Sequence, residues 1–126
     1  MQAYIIGIDL GGMSAKAALF DKEGRIVAKK SIVTNAADGF EGTAAKLAEV
    51  AKGVAQAAGA AFEDVEKIGI ASPGVVNSKT GVILKWSNYG WTDVPLGDTV
   101  AKLTGKKVCV VNDANAAAFG EAKFGS

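Results

Sequence analysis

The stretch Gly7-Ile8-Asp9-Leu10-Gly11-Gly12-Met13-Ser14 joins two apolar runs near the beginning of the chain. The first run, Tyr4 to Ile8, leads into a single carboxylate, and the second, Ala15 to Phe20, resumes after the glycine pair. This pattern predicts a strand, a tight turn and a second strand. A glycine pair lets the main chain turn sharply and leaves N–H groups uncovered, as in loops that bind phosphate. Asp9 could hold a hydrated Mg²⁺ against such a phosphate.

The rest of the sequence alternates between strand and helix patterns. Strands are predicted over Tyr4–Asp9, Ala15–Asp21, Arg25–Thr34, Lys67–Ala71 and Lys107–Val111, and helices over 40–58, 96–104 and 114–124. Asp38 and Glu41 form a candidate capping box for the first helix, Gly59 its stop, and residues 75–95 a predicted irregular stretch. The order βββαβαβα predicts an α/β fold around a mixed five-stranded sheet whose later strands are parallel.

Composition restricts the possible chemistry. The length of 126 residues predicts one domain. The formal net charge of +1 gives no strong positive potential that would favour binding to nucleic acid or to an anionic membrane. No apolar run reaches the roughly 18 residues of a membrane span, and a first strand at Tyr4 leaves no room for a signal peptide. Cys109 lies in an apolar run and is predicted to be a buried core thiol. A single cysteine fits a reducing cytoplasm.

The sequence contains no histidine. This excludes a Ser-His-Asp triad, a Cys-His pair and imidazole-based zinc sites. Polar residues instead gather where predicted strands end, at Asp9, Ser72 and Asp113, and ligands of open α/β sheets bind at that carboxyl edge. The chemistry is therefore expected to use carboxylates, lysines, backbone amides and a hard metal ion.

Four motifs together resemble the ROK family of bacterial glucokinase-like sugar kinases. They are the opening glycine segment with Lys16, then Ala71-Ser72-Pro73-Gly74-Val75-Val76-Asn77, Ser87-Asn88-Tyr89-Gly90-Trp91, and Asn112-Asp113-Ala114-Asn115-Ala116-Ala117. The family belongs to the actin-like, ribonuclease-H-like superfamily, whose small lobe has the predicted element order. The resemblance covers essentially the whole chain.

The resemblance implies a role for each motif. Asp113 would be the general base that takes the proton from a sugar hydroxyl attacking the γ-phosphoryl group of ATP. The sugar is expected to be a hexose such as glucose, and it would contact Gly74, Asn88 and Asn112. Asp9 would act on the Mg²⁺ side through water, Gly11 and Gly12 would offer amides to the phosphates, and Lys16 would offset phosphate charge. Phosphoryl transfer needs mainly positioning and charge stabilisation, so these residue types suffice.

Two departures from the family pattern bear on activity. Family members carry Thr at the position of Met13, and a thioether has no O–H donor for the phosphate. The chain also corresponds to an N-terminal lobe alone, residues 1–126. The lobe expected to carry the second phosphate loop, the adenosine site and the family zinc site is absent from it. An uncovered lobe interface would favour self-association, and a homodimer is expected.

Several alternatives stay open at the level of sequence. The chain is the lobe of a sugar kinase, the sugar-sensing lobe of a ROK repressor, or a non-catalytic, self-associating half-enzyme. Asp113 could also cap the last helix, and Lys16 could be a solvated strand lysine. Trp86 and Trp91 could be packing anchors or sugar platforms.

Overall fold

The computed structural model describes residues 3–113, so the predicted helix over 114–124 lies outside the described residues. The strands are β1 (Tyr4–Leu10), β2 (Ser14–Phe20), β3 (Ile26–Val33), β4 (Val65–Ser72), β5 (Val75–Asn77), β6 (Val82–Trp86), β7 (Trp91–Val94) and β8 (Lys107–Asn112). The helices are α1 (Gly39–Ala57) and α2 (Leu96–Thr104), with short 3₁₀ turns over Ala36–Asp38, Phe62–Asp64 and Ser87–Tyr89. Neither α1 nor α2 has the length and apolar character of a membrane span.

The main sheet is mixed and five-stranded, in the order β3-β2-β1-β4-β8. Strands β1, β2 and β3 are antiparallel neighbours, whereas β1, β4 and β8 run parallel. The predicted fold class and the parallel character of the later strands are therefore confirmed. Because β1, β4 and β8 run in the same direction, their carboxyl ends share one edge of the sheet.

The core lies between one face of this sheet and the two helices. Alternate residues of β1 and β4 are buried there, as period-two alternation requires. Helix α1 packs against β2, β3 and α2, and α2 also packs against β8. Among the largest fully buried side chains of this core are Ile6, Leu10, Leu19, Leu47, Ile68, Ile70, Val54 and Val100.

The prediction of an irregular stretch over residues 75–95 is wrong. Strands β5, β6 and β7 form a second, three-stranded antiparallel sheet there. The strands are only three to five residues long, and a register shift interrupts the first pairing at Val75 and Val76. Gly81 and Gly90 adopt positive φ at the connections, and Asp93 has φ 52°. Short, interrupted strands carry too little alternation to be recognised in sequence.

The predicted capping box of the long helix is displaced by one turn. Asn35 and Asp38 exchange the reciprocal hydrogen bonds, and they cap the 3₁₀ turn at Ala36–Asp38 rather than α1. Asp38 makes no side-chain capping bond to α1 and instead binds Lys46 Nζ at 2.8 Å. Within residues 3–113, Glu41 makes no capping hydrogen bond. Gly59 follows the end of α1 with φ 70°, the left-handed conformation expected of a helix stop.

The prediction that Cys109 is a buried core thiol is also wrong, because this thiol is exposed. Its neighbour Val110 is fully buried. Successive strand side chains point to opposite faces, and within residues 3–113 the helices cover only the face that carries Val110. An apolar run predicts a strand but does not say which of its faces is covered.

The Asp21 carboxylate closes the turn between the antiparallel strands β2 and β3. It accepts hydrogen bonds from the backbone amides of Arg25 at 2.9 Å and Glu23 at 3.0 Å, and from Arg25 Nε at 3.0 Å. These bonds, the Arg25 amide first among them, lower the pKa of Asp21 below its ordinary value of 3.8.

We expect Asp21 to make the free energy of unfolding depend on acid pH. Its pKa is lower in the folded than in the unfolded chain, so its stabilisation is present above pH 3.8 and is lost as pH falls through the folded-state pKa. The variant Asp21→Asn is expected to reduce this slope in urea unfolding followed across that pH range. Identical slopes for the variant and the unmodified chain would contradict the prediction.

Candidate functional site

Three parallel strands deliver predicted site residues to one edge of the sheet. Asp9 in β1 is level with Ala71 in β4, and Ser72 at the end of β4 pairs with Asn112 at the end of β8. Asp113 follows directly after β8 and is exposed. The predicted gathering of Asp9, Ser72 and Asp113 at the carboxyl edge is therefore confirmed.

The turn between β1 and β2 has one engaged amide and one open amide. The Gly11 N–H donates to the Ser14 carbonyl at 2.9 Å, so this amide is used within the turn. The Gly12 N–H has no acceptor among residues 3–113, and a Cβ built on Gly12 would meet nothing within 4 Å. Gly12 is thus the glycine of the pair that presents its backbone to an approaching ligand.

Two residues from other parts of the chain, Thr34 and Tyr89, bind the carbonyl groups of this turn. Thr34 Oγ1 donates to the Gly11 carbonyl at 3.1 Å, and the Thr34 amide donates to the Met13 carbonyl at 3.0 Å. The Tyr89 hydroxyl lies 2.9 Å from the Gly12 carbonyl and 3.0 Å from Thr34 Oγ1 and shares its proton between these acceptors. Three consecutive carbonyls are therefore fixed by Thr34 and Tyr89.

A shallow cleft of about 500 Å³ opens between this turn and the 3₁₀ turn Ser87–Tyr89. It brings Asn88, a predicted sugar contact, beside Gly12 and Met13, and the Met13 side chain is 83% exposed. The residues lining it are Gly12, Met13, Val33, Thr34, Asn35, Ala36, Asn88 and Tyr89. The structure thus joins one predicted sugar residue to the predicted phosphate turn.

Gly74 and Asn112 are joined by a hydrogen bond of 2.6 Å from Asn112 Nδ2 to the Gly74 carbonyl. Gly74 has φ 87°, and a Cβ at this position would overlap the Lys85 carbonyl oxygen at the start of the β5–β6 pairing. The close approach that requires glycine here is therefore made by the protein's own backbone. This bond also orients Asn112 at the end of β8, next to Asp113.

Asp9 and Lys16 are cross-strand neighbours on the sheet face away from α1. They are paired in the β1–β2 register, both side chains are exposed, and neither forms an ion pair among residues 3–113. Lys16 does not line the cleft that contains Asn88. Asp9 and Lys16 are consequently positioned by the sheet and not by contacts with each other.

The ROK family model matches residues 5–126 of this chain. The chain belongs to the ROK family. It is 37% identical to a glucokinase of Thermotoga maritima over 123 residues, which is 97% of the chain and 37% of that relative. It is also 33% identical to a putative xylose repressor of a Caldicellulosiruptor species, covering 96% of the chain and 30% of that relative.

A solved ROK structure has the same fold. The ROK glucokinase of Streptomyces griseus, in complex with glucose and AMPPNP, matches with a TM-score of 0.84 and 36% identity over 98% of this chain and 38% of that one. This ROK chain therefore spans about a third of the length of these three relatives. Kinases and repressors are both among them.

The two tryptophans of this ROK chain are packing residues. Trp86 and Trp91 are each 4% exposed, and their rings meet edge to face at 5.1 Å. Trp91 also contacts Phe40 of α1 at 5.3 Å, which ties the second sheet to the first helix. Rings buried to this extent offer no open face to a sugar, so the packing alternative is the one supported.

Tyr89 is the residue that sequence reasoning missed. Its ring stacks on Trp86 with centroids 3.9 Å apart and an interplanar angle of 12°, while its hydroxyl reaches the turn between β1 and β2. The only sequence signal is its place inside the third ROK motif, between Asn88 and Gly90. A contact with Gly12, 77 positions away, has no local pattern.

The Asp9 carboxylate fits a Mg²⁺ site only if a bound phosphate supplies further ligands to the ion. Within residues 3–113, no three His, Cys, Asp or Glu side chains form a cluster that could bind a metal ion. Mg²⁺ commonly keeps several waters and takes one or two carboxylates plus substrate phosphates. Asp9 is one exposed carboxylate near the end of the strand that leads into the Gly12 turn, which matches the single carboxylate that such coordination takes.

Proposed function

We propose that this ROK chain forms the phosphate- and sugar-binding lobe of an ATP-dependent hexose kinase, with glucose as the first substrate to test. The observation that carries this proposal is the shared sheet edge. The open turn at Gly12 follows β1 and the Asp113 carboxylate follows β8, two strands that flank β4, and Asn88 lines the same cleft as the turn. The similarity to glucokinases supports the same assignment.

Asp113 and the two asparagines would act on the sugar. Asp113 would accept the proton of a sugar hydroxyl while that oxygen attacks the γ-phosphorus and the bond from phosphorus to the ADP oxygen breaks. Asn88 both donates and accepts, which matches the character of sugar hydroxyls. Asn112 would contact the same sugar in the orientation fixed by its bond to the Gly74 carbonyl. Gly74 would contribute indirectly, because its carbonyl accepts this hydrogen bond and so holds the Asn112 side chain in place.

The turn between β1 and β2 would bind the phosphates of ATP. Gly12 offers its open amide, while Gly11 shapes the turn through its bond to Ser14. Asp9 would hold Mg²⁺ through water, and the ion would neutralise developing phosphate charge. Lys16 would add positive charge on the same sheet face. Because ATP is the proposed phosphate donor, we expect the protein to act in the cytoplasm.

The proposal is tested with a chimera, because the chain corresponds to only 37% of the length of the Thermotoga glucokinase and the rest of the site must come from that enzyme. This chain would replace the matching 123-residue segment of that enzyme, and glucose-dependent ADP formation would be measured by a coupled assay. We expect the chimera to form ADP with glucose and the isolated chain to form none, since one lobe supplies one wall of the cleft. A folded chimera that forms no ADP would overturn the proposal.

The match to a putative xylose repressor supports a second candidate, a sugar-sensing lobe without phosphoryl transfer. Under this alternative the chimera would bind glucose in calorimetry but would form no ADP. A third candidate is a self-associating module, expected as a homodimer. Sedimentation of the isolated chain as a monomer at micromolar concentration would exclude it.

Met13 is expected to limit the rate of the chimera. Its thioether offers no O–H donor where the family carries Thr, and one missing donor at a comparable site costs about 10²–10³-fold in rate. We expect Met13→Thr to raise kcat by up to about 10²-fold. Because Met13 is 83% exposed, neither this change nor the control Met13→Leu should alter the thermal midpoint. Equal rates for the Thr and Leu variants would contradict the prediction.

A further inference from the structure

We propose that the Tyr89 hydroxyl is a positioning group for the phosphate-binding turn. It would hold the Gly12–Met13 peptide so that its amide faces a bound phosphate, and it would link this turn to the sugar contact at Asn88. The inference rests on the proposed function of the turn as a phosphate site. It gives Tyr89 a role that is distinct from the packing of its ring.

The trans geometry of the peptide bonds sets the direction of the amides in this turn. Within residues 3–113 every peptide is trans, so each carbonyl points opposite to the N–H of the next residue. Holding the Gly11 carbonyl at Thr34 therefore directs the Gly12 N–H away from Thr34. Because the Gly12 carbonyl is bound by the Tyr89 hydroxyl, the Met13 N–H likewise points away from Tyr89. Two successive amides are turned to one side, which is the arrangement that binds an anion.

The ring of Tyr89 is itself held in place by the two tryptophans. It stacks on Trp86 at 3.9 Å and meets Trp91 edge to face at 5.5 Å, and both tryptophans are almost fully buried. Gly90 closes the 3₁₀ turn, donating to the Ser87 carbonyl at 3.0 Å with φ 69°. The stacked ring therefore directs the hydroxyl toward Gly12, while the backbone of the 3₁₀ turn that carries it is exposed at Asn88 and open to further restraint.

The 3₁₀ turn Ser87–Tyr89 connects the two halves of the cleft. Asn88 and Tyr89 belong to the same single 3₁₀ turn, so a sugar held by Asn88 restrains the backbone that carries Tyr89. Restraint of Tyr89 in turn restrains the Gly12–Met13 peptide. We therefore expect glucose to raise the affinity of the turn for phosphate, and we expect this coupling to depend on the Tyr89 hydroxyl.

The test uses the 126-residue chain with ¹⁵N labelling and compares two single-hydroxyl deletions. Tyr89→Phe removes the hydroxyl and keeps the stacked ring, whereas Tyr4→Phe removes the only other tyrosine hydroxyl, at the far end of β1. The readouts are the amide shifts and hydrogen exchange of Gly12 and Met13, and the affinity for inorganic tripolyphosphate with and without glucose. Thermal unfolding of each variant reports any purely structural effect.

In Tyr89→Phe we expect faster amide exchange at Gly12 and Met13, tripolyphosphate binding weaker by about two- to tenfold, and no enhancement by glucose. Tyr4→Phe should match the unmodified chain in all three. Unchanged affinity in Tyr89→Phe overturns the positioning role alone. If the unmodified chain does not bind tripolyphosphate, the phosphate assignment of the turn is overturned, and the positioning role falls with it.

Discussion

Replacing Asp113 with Asn is expected to lower kcat of the glucokinase chimera by about 10²–10⁴-fold, the usual contribution of a positioned general base. Asn has the size of Asp but accepts no proton, so the sugar hydroxyl loses its base while the site keeps its shape. We expect KM for glucose to change little, since hydrogen bonds to the sugar remain possible. Steady-state kinetics with the coupled assay measure both quantities.

The choice of Asn also separates catalysis from helix capping. Asn and Asp are about equally good N-caps, so Asp113→Asn preserves any capping role, whereas Asp113→Ala removes it. If Asp113 only caps, Asn retains full activity and only Ala loses stability. The matched control is Asp98→Asn on α2, which neutralises an exposed carboxylate in the first turn of that helix. Loss of activity in this control would show that net charge, not the base, is responsible.

Replacing Gly74 with Ala is expected to be the most destabilising single change among the site residues. The residue has φ 87°, which costs a non-glycine residue about 1–3 kcal/mol. Its new Cβ would also overlap the Lys85 carbonyl, and such overpacking costs typically about 1–3 kcal/mol more. We therefore expect a loss of about 2–6 kcal/mol in the free energy of unfolding, measured by urea titration.

Gly105→Ala isolates the two contributions to that loss. Gly105 ends α2 with φ 71°, but a Cβ there would meet nothing within 4 Å. We expect this control to lose about 1–2 kcal/mol, the cost of the left-handed backbone alone. Equal losses at the two positions would show that the contact between Gly74 and Lys85 contributes nothing.

Sequence predicted the main sheet because its signals are local. Alternation in β1 and β2, the turn at Asp21 and the apolar stripe of α1 each depend on neighbouring residues. The shared strand edge followed from the parallel order, so the positions of Asp9 and Asp113 were also predictable. These features needed no knowledge of distant contacts.

Most of the missed features depend on contacts between residues far apart in the chain, the displaced capping box at Asn35 and Asp38 being a local exception. The β5–β7 sheet is held by pairing of very short strands and by burial of Trp91 against Phe40. The exposure of Cys109 depends on which sheet face the helices cover. The contact of Tyr89 with Gly12 spans 77 positions, and no local pattern encodes such a partner.

The hydrogen bonds to the Gly11, Gly12 and Met13 carbonyls have a consequence for how this turn can change. Its path is set by main-chain groups of the turn and by Thr34 and Tyr89, while the side chain at position 13 points into open space. The backbone of the turn is therefore held without a contribution from the side chain at position 13. We therefore expect a change from Met to Thr at position 13 to alter the side chain that the turn presents and to leave the backbone of the turn in place.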